Sequence, residues 1–217
     1  MQLEVDAILF DVDGTLVDST AAVERTWRAW AAAHDADAEE ILRVCHGRRS
    51  QDTIALFLPA GERAAAVDEL ERLELDDLAD TVALPGTGAL LSAPALAAGR
   101  WAAVTSGPRA LMRARLRAAG LPEPAVLVTA EDVAVGKPDP EGYLRAAAAL
   151  GVDARRCLVV EDAPAGVEAG RAAGAAVLAV ATSHDASVLG RADAVVHDLT
   201  RCRVGSVGER LGVTVTP

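Results

Sequence analysis

The sequence predicts an α/β protein: a doubly wound parallel sheet with an all-helical module inserted after the first strand. Apolar, strand-like runs recur along the chain at residues 5–10, 101–105, 125–128, 157–160, 176–180 and 194–196. Helical patterns separate the later runs, at residues 109–119 and 141–150, and this alternation is typical of a parallel sheet. Residues 16–84 interrupt the alternation, because they carry only helical patterns and no convincing strand.

The interruption is large enough to be a module of its own. Its helical patterns cover residues 21–34, 39–44, 52–58 and 62–78. Leu84-Pro85-Gly86 then marks the return to the sheet, since proline and glycine end helices and form turns. We therefore predict a core of residues 1–15 and 85–217 and a helical module of residues 16–84. The segment 211–216 is compatible with either one more edge strand or a loose tail.

Composition and charge argue against several classes of partner. The 217 residues are 51% hydrophobic but only 3% aromatic, so aliphatic side chains and alanine must fill the core. The formal net charge is −11, which argues against a nucleic-acid partner because no basic stripe is present to neutralise phosphates. The same charge repels an anionic substrate, so a site for one needs a local cation.

Cysteine usage and hydropathy favour a reducing compartment. The three cysteines, Cys45, Cys157 and Cys202, form no CxxC spacing, so a zinc site is not expected. No basic and apolar leader precedes the first strand, and no apolar run reaches the roughly 18 residues of a membrane span. We therefore expect a cytoplasmic protein with no membrane partner. We also expect a monomer or weak homodimer.

Two carboxylates stand at the end of the first predicted strand. Asp11 and Asp13 follow the apolar run Ala7-Ile8-Leu9-Phe10 and precede Gly14, and open α/β sheets bind ligands at the carboxyl ends of their strands. Two acids in one site repel each other unless a cation or a proton lies between them. A divalent metal would meet this need and would leave one carboxylate free as a nucleophile. The alternative is an Asp-Gly turn with no chemistry, since both residue types are common in turns.

Polar residues also follow two later strands and one loop. Thr105-Ser106 ends the strand at 101–105, Glu161-Asp162 ends the strand at 157–160, and Lys137 lies in the loop between them. Taken singly, these could be a turn with a helix N-cap, another N-cap, and a solvated lysine. Their joint occurrence at or near successive strand ends favours a common site instead.

Four motifs in order resemble those of the haloacid dehalogenase (HAD) superfamily, most of whose members are phosphatases. They are Asp11-Val12-Asp13-Gly14-Thr15, Trp101 to Gly107, Gly136-Lys137-Pro138-Asp139-Pro140 and Leu158 to Gly166. The resemblance extends from about residue 5 to about residue 197. It implies a Rossmann-like HAD core, with residues 16–84 in the place of the family's helical cap over the active site.

The same residues suit phosphoryl transfer, and the resemblance implies the same roles. Asp11 suits the nucleophile that forms an aspartyl-phosphate, and Asp13 suits the acid that protonates the leaving oxygen and later the base toward water. Thr105, Ser106 and Gly107 are candidates to bind the phosphate oxygens. Lys137 offsets charge on both the phosphate and Asp11.

A Mg²⁺ ion is the expected cofactor. Asp11, the backbone carbonyl of Asp13, Asp162 and Glu161 offer the oxygen ligands that Mg²⁺ prefers. We expect Glu161 to bind directly or to lie just outside the ligand shell.

Substrate choice is expected to lie in the cap. Cys45-His46-Gly47-Arg48-Arg49 places a histidine and two arginines around a glycine between helices, and arginine offers planar donors for hydroxyls or phosphate. With the motifs above, this segment is similar to the branch acting on glycerol phosphate and 2-deoxyglucose 6-phosphate. His46, Arg48 and Arg49 are therefore candidate substrate-binding residues. The alternatives are a packing histidine and a solvated arginine pair.

The predicted function is thus a Mg²⁺-dependent phosphatase of a small phosphorylated sugar or polyol. The main alternative is an isomerase similar to β-phosphoglucomutase, which shares the core but returns the phosphoryl group to its substrate. Carbon–halogen hydrolysis is disfavoured because true dehalogenases generally lack the second aspartate, here Asp13. A non-catalytic member of the fold would be expected to lack a motif residue, and this chain retains them all.

Overall fold

A computed structural model describes residues 1–96 and 99–216. Its strands are β1 (Gln2–Val5), β2 (Ala7–Phe10), β3 (Val17–Asp18), β4 (Val82–Ala83), β5 (Trp101–Val104), β6 (Leu127–Val128), β7 (Cys157–Glu161), β8 (Ala176–Val180), β9 (Ala194–Val196), β10 (Cys202–Val207) and β11 (Arg210–Val215). Its α-helices are α1 (Thr20–Ala33), α2 (Ala38–Cys45), α3 (Ser50–Ile54), α4 (Arg63–Asp76), α5 (Thr87–Leu91), α6 (Arg109–Ala118), α7 (Glu141–Ala149) and α8 (Pro164–Ala172).

The main sheet has six parallel strands in the order β6-β5-β2-β7-β8-β9. Strands β2, β5 and β7 are buried along their whole length, which explains why they appear in the sequence as unbroken apolar runs. Side chains alternate between two hydrophobic clusters: Ile8 and Phe10 belong to one, and Ala7 and Leu9 to the other. Helices α5 and α6 pack in the first cluster and α7 and α8 in the second. The predicted doubly wound parallel sheet is confirmed.

The ends of the chain differ from the prediction. The run at 5–10 is not one strand, because the chain bends at Asp6 between β1 and β2. Strand β1 pairs antiparallel with β11 in a separate three-stranded sheet of order β1-β11-β10. The segment 211–216 is therefore mostly strand. Strand β10 was not predicted, because only its first residue, Cys202, is buried. The strand therefore lacks a clear alternation of buried and exposed residues with a period of two.

Helices α1 to α4 form a hydrophobic cluster of their own, around Trp27, Trp30, Ile41 and Leu70. The indole N–H of Trp30 donates to the carbonyl of Ala66 (2.9 Å), which fastens α1 to α4. The expectation of no strand in 16–84 is wrong at both ends of that segment. There β3 and β4 pair antiparallel over two residues each, too few to produce a periodic signal in sequence.

Among the residues that the structure describes, none of the helices combines the length and apolar character needed to cross a lipid bilayer.

Candidate active site

Four strand ends and the helical segment enclose one cavity. Strands β2, β5, β7 and β8 are neighbours in the parallel sheet, so the residues that follow them meet at one edge. The cavity has a volume of about 80 Å³. The core lines it with Asp11, Asp13, Gly14, Thr105, Ser106, Gly107, Leu111, Arg115, Asp162 and Ser183, and the helical segment with Ser19, Thr20, Val23, Trp27, Cys45, His46, Gly47, Arg48, Ser50 and Glu74.

Lys137 joins two of the predicted carboxylates. Its ammonium donates to Oδ1 of Asp11 and to Oε1 of Glu161, both at 2.5 Å, and to the carbonyl of Val104 at 3.2 Å. Glu161 is fully buried and also accepts from the hydroxyl of Tyr143 (2.6 Å). Tyr143 escaped prediction because it lies on α7, away from every strand end. The lysine that sequence analysis placed in a loop is thus a buried partner of the nucleophile candidate.

Burial and mutual repulsion shift the pKa values of these acids. Burial raises the pKa of Asp11 well above its usual range, although Lys137 opposes the shift. Burial and the neighbouring Glu161 raise the pKa of Asp162 to about 7. Burial alone would lower the pKa of Lys137, but Asp11 and Glu161 outweigh that effect and raise it. One ammonium therefore serves three buried carboxylates, which leaves the cluster in need of further positive charge.

The acidic cluster suits a hard divalent cation. One carboxylate oxygen from each of Asp11, Glu161 and Asp162 lies within 4.8 Å of the others, and Mg²⁺ binds oxygen ligands of this kind. Gly14 adopts a positive φ of 83°, and a side chain there would collide with the carboxylate of Asp162. Glycine at this position therefore keeps the approach to the cluster open.

Asp13 directs its side chain away from that cluster. Ser19 donates to its Oδ1 (2.7 Å), and Arg115 donates to its Oδ2 (2.8 Å). Arg115 also donates to Oε1 of Glu74 on α4 (3.2 Å). Sequence analysis missed Ser19, Glu74 and Arg115. A signal existed for two of them, because Arg115 follows the buried Leu111 by four residues and Glu74 follows the buried Leu70 by four, which puts each charge on an apolar helix face.

The candidate phosphate-binding residues lie at the carboxyl end of β5. The N–H of Gly107 donates to the hydroxyl of Thr105 (3.0 Å), which itself donates to the sulfur of Met112 (3.1 Å). The hydroxyl of Ser106 donates to the carbonyl of Gly47 (2.9 Å). The structure thus brings Thr105, Ser106 and Gly107 to the cavity wall, with Ser106 bonded across to the helical segment.

The two arginines of the helical segment occupy different places. Arg48 is exposed and lines the cavity. Arg49 is buried, pairs with Asp52 (2.7 Å), and donates to the carbonyls of Val133 and Ala134 (3.2 Å each). The donors of Arg49 are therefore directed at protein acceptors beside the Gly136-Lys137 loop, outside the cavity lining.

Two residues that sequence analysis missed follow strand β8. Ser183 donates to the carboxylate of Asp162, and its hydroxyl lies 2.8 Å from Nδ1 of His184. The ring of His184 stands edge-on to that of His46, with centroids 6.0 Å apart, and burial lowers the pKa of both histidines. The strand-end rule that identified Asp11 would also have identified Ser183, since it follows another buried parallel strand.

Comparison with known proteins places these features in a family context. A family model of haloacid dehalogenase-like hydrolases matches residues 5–174. The chain is 46% identical to hexitol phosphatase A of Escherichia coli (strain K12), over 90% of this chain and 92% of that protein. It is 38% identical to 2-deoxyglucose-6-phosphate phosphatase 2 of Saccharomyces cerevisiae, over 94% and 92%. The crystal structure of a hydrolase from Pseudomonas syringae superposes with a TM-score of 0.80 at 27% identity, over 89% and 94%.

Proposed function

Because the chain belongs to the haloacid dehalogenase-like hydrolases, we propose that it is a Mg²⁺-dependent phosphatase of a small sugar or polyol phosphate. The observation that carries the proposal is the buried Lys137, bonded at 2.5 Å to both Asp11 and Glu161 beside Asp162. A nucleophilic carboxylate and a charge-neutralising lysine are what phosphoryl transfer requires.

Asp11 is the attacking group in this proposal. An oxygen of its carboxylate forms a bond to phosphorus while the bond from phosphorus to the sugar or polyol oxygen breaks. Asp13 gives its proton to that leaving oxygen. Lys137 holds Asp11 in place and offsets charge on the transferred group, and Thr105, Ser106 and Gly107 bind its oxygens. The product of this half-reaction is an aspartyl-phosphate on Asp11 and a free alcohol.

Water completes the cycle. Asp13, now a carboxylate, takes a proton from a water molecule whose oxygen attacks the phosphorus of the aspartyl-phosphate. The bond to Asp11 breaks, inorganic phosphate leaves, and both aspartates return to their starting states. Asp13 thus acts first as an acid and then as a base.

The metal site is assigned to Asp11, Asp162, the backbone carbonyl of Asp13 and, close by, Glu161. A bound Mg²⁺ would supply positive charge to the phosphate oxygens and relieve the repulsion among the carboxylates. Because the side chain of Asp13 bonds to Ser19 and Arg115, only its backbone oxygen is assigned to the ion.

The helical segment is proposed as a cap over Asp11, with boundaries at residues 16 and 84 and a core of residues 1–15 and 85–217. The paired linkers β3 and β4 support two close connections to the core. His46 and Arg48 stand on the cavity wall and are proposed to bind the sugar or polyol part. The names of the two relatives, a hexitol phosphatase and a sugar-phosphate phosphatase, support this substrate class.

We place the enzyme in the cytoplasm as a monomer or weak homodimer, with no nucleic acid or membrane as partner. The three cysteines are all buried as free thiols, which agrees with a reducing compartment.

A substrate panel tests the proposal. Purified protein with Mg²⁺ is offered hexitol phosphates, 2-deoxyglucose 6-phosphate, glycerol 1-phosphate and a hexose 1-phosphate, and released inorganic phosphate is measured. Release from at least one sugar or polyol phosphate, absent in Asp11→Asn, supports a phosphatase. Conversion of the hexose 1-phosphate to its 6-phosphate without phosphate release would show that the protein is an isomerase and not a phosphatase. No turnover of any compound would overturn it.

A further inference from the structure

We propose that the buried pair of Arg115 and Glu74 sets the orientation of Asp13 according to the position of the cap. Both are positioning residues in this proposal, since they act on the acid–base step through Asp13. The inference depends on the proposed function, in which Asp13 carries the proton of the leaving group.

Arg115 connects three parts of the molecule. It belongs to helix α6 of the core, and its two terminal nitrogens donate to Asp13 at the end of β2 (2.8 Å) and to Glu74 on cap helix α4 (3.2 Å). The side chains of Arg115 and Glu74 are only 3% and 6% exposed. A guanidinium is planar and rigid, so its contact with one carboxylate fixes the direction in which it meets the other.

Stability alone is a poor reason for these charges. Burying an ion pair costs desolvation energy that only complete hydrogen bonding offsets, and an apolar pair of similar volume is often at least as stable. Here Oε2 of Glu74 and Nε of Arg115 are buried without a hydrogen-bond partner among the described residues. An incomplete polar contact between two bodies is easier to break and re-form than a fully satisfied one, which suits a cap that moves.

Apart from the hydrogen bond of Ser19, at the start of the cap, to Oδ1 of Asp13, the following cap–core hydrogen bonds do not involve the side chain of Asp13. Ser106 contacts Gly47, and Arg49 contacts the loop at Val133 and Ala134. Among the described contacts, Arg115 is therefore the side chain that links helix α4 to Asp13. When the cap is seated, Glu74 holds the guanidinium so that Arg115 and Ser19 fix both oxygens of Asp13. When α4 moves away, the guanidinium loses its second anchor and Asp13 loses its fixed orientation.

The test uses Glu74→Gln, which keeps the shape of the side chain but cannot ionise. The quantity measured is kcat/KM, because it covers the steps up to the aspartyl-phosphate and excludes its hydrolysis. For the polyol or sugar phosphate, whose leaving oxygen needs a proton, we expect kcat/KM to fall about 10-fold. For p-nitrophenyl phosphate, whose leaving group hardly needs one, we expect a change below about 3-fold.

The Asp13→Asn background separates positioning from general damage. If Glu74 acts only through Asp13, Asp13→Asn and the double variant should have the same kcat/KM for the polyol phosphate. The matched control is Asp77→Asn, which removes a carboxylate just beyond the end of the same helix, where it pairs with Arg25. This control variant should leave kcat/KM unchanged for both substrates. Mg²⁺ affinity, measured by calorimetry on Glu74→Gln, should equal that of wild type.

Two results would overturn the inference in an active wild-type enzyme. One is an equal loss on both substrates, and the other is a further loss when Glu74→Gln is added to Asp13→Asn. A wild-type enzyme that turns over neither phosphate would instead overturn the proposed function, so the two failures are distinguishable.

Discussion

The ammonium of Lys137 lies 2.5 Å from Oδ1 of Asp11, although 126 positions separate the two residues in the chain. Burial favours the neutral form of Asp11 and raises its pKa, and Lys137 is the group that opposes this shift. The contact therefore favours the carboxylate form of Asp11, which is the form that the proposed attack on phosphorus requires. It also defines the first prediction, because the reactive form of Asp11 is its carboxylate.

Asp11→Asn should abolish turnover of every phosphate substrate. The amide keeps the shape of the side chain but cannot form an aspartyl-phosphate. Phosphate release is the measurement, and the melting temperature is the control for folding. Lys137 retains Glu161 as a partner, so the variant should remain folded. More than a few per cent of wild-type activity in a folded variant would exclude Asp11 as the nucleophile.

Removal of Mg²⁺ should abolish the activity of the enzyme and lower its free energy of unfolding. Three buried carboxylates lie within 4.8 Å, so a bound cation relieves their repulsion. Chelator should abolish activity, Mg²⁺ should restore it, and Ca²⁺ should restore it poorly because it prefers more ligands at longer distances. When the free Mg²⁺ concentration is about 100 times the dissociation constant, binding adds roughly 2.7 kcal/mol to the free energy of unfolding. The addition of Mg²⁺ should therefore raise the melting temperature. Full activity in excess chelator would contradict the assignment.

Much of this site could be predicted because local sequence encodes it. Asp11, Thr105 and Asp162 each follow a buried strand, and parallel strands bring such ends to one edge. Glu74 and Arg115 could not be assigned a partner, because their contact depends on how helix α4 packs against helix α6. Arg49 was predicted to bind substrate together with Arg48, because the sequence does not reveal that the donors of Arg49 meet Asp52, Val133 and Ala134. The sequence of two neighbouring arginines alone does not determine which of the two side chains faces the cavity.

Arg48→Ala and Arg49→Ala should therefore have different effects. Arg48 lines the cavity, so its loss should lower kcat/KM for the preferred sugar or polyol phosphate by about 10-fold and spare p-nitrophenyl phosphate, which has no hydroxyls to bind. Arg49 bonds to Asp52, Val133 and Ala134, so its loss should lower the melting temperature and affect both substrates alike. Each variant serves as the control for the other. Identical substrate profiles for the two would contradict this division.

The carboxyl of Glu74 should make stability depend on pH. Burial raises its pKa from 4.5 to about 7, Arg115 opposes the shift, and Asp13 and Glu71 add to it. The folded state therefore binds this proton more tightly than the unfolded chain, and protonation contributes stability that is complete below about pH 4.5 and lost as the pH rises through 7.

Relative to Glu74→Gln, wild type should lose free energy of unfolding between about pH 5 and pH 8, because only wild type carries this proton. A pKa difference of this size corresponds to a loss of up to roughly 3 kcal/mol. Urea denaturation of both proteins at intervals across that range measures the difference, and subtraction removes the titration of all other groups. Asp77→Asn is the matched control, since Arg25 lowers the pKa of Asp77 and its difference from wild type should stay constant over the same range. Parallel curves for wild type and Glu74→Gln would show that Glu74 is ionised throughout, and that Arg115 rather than burial determines its charge.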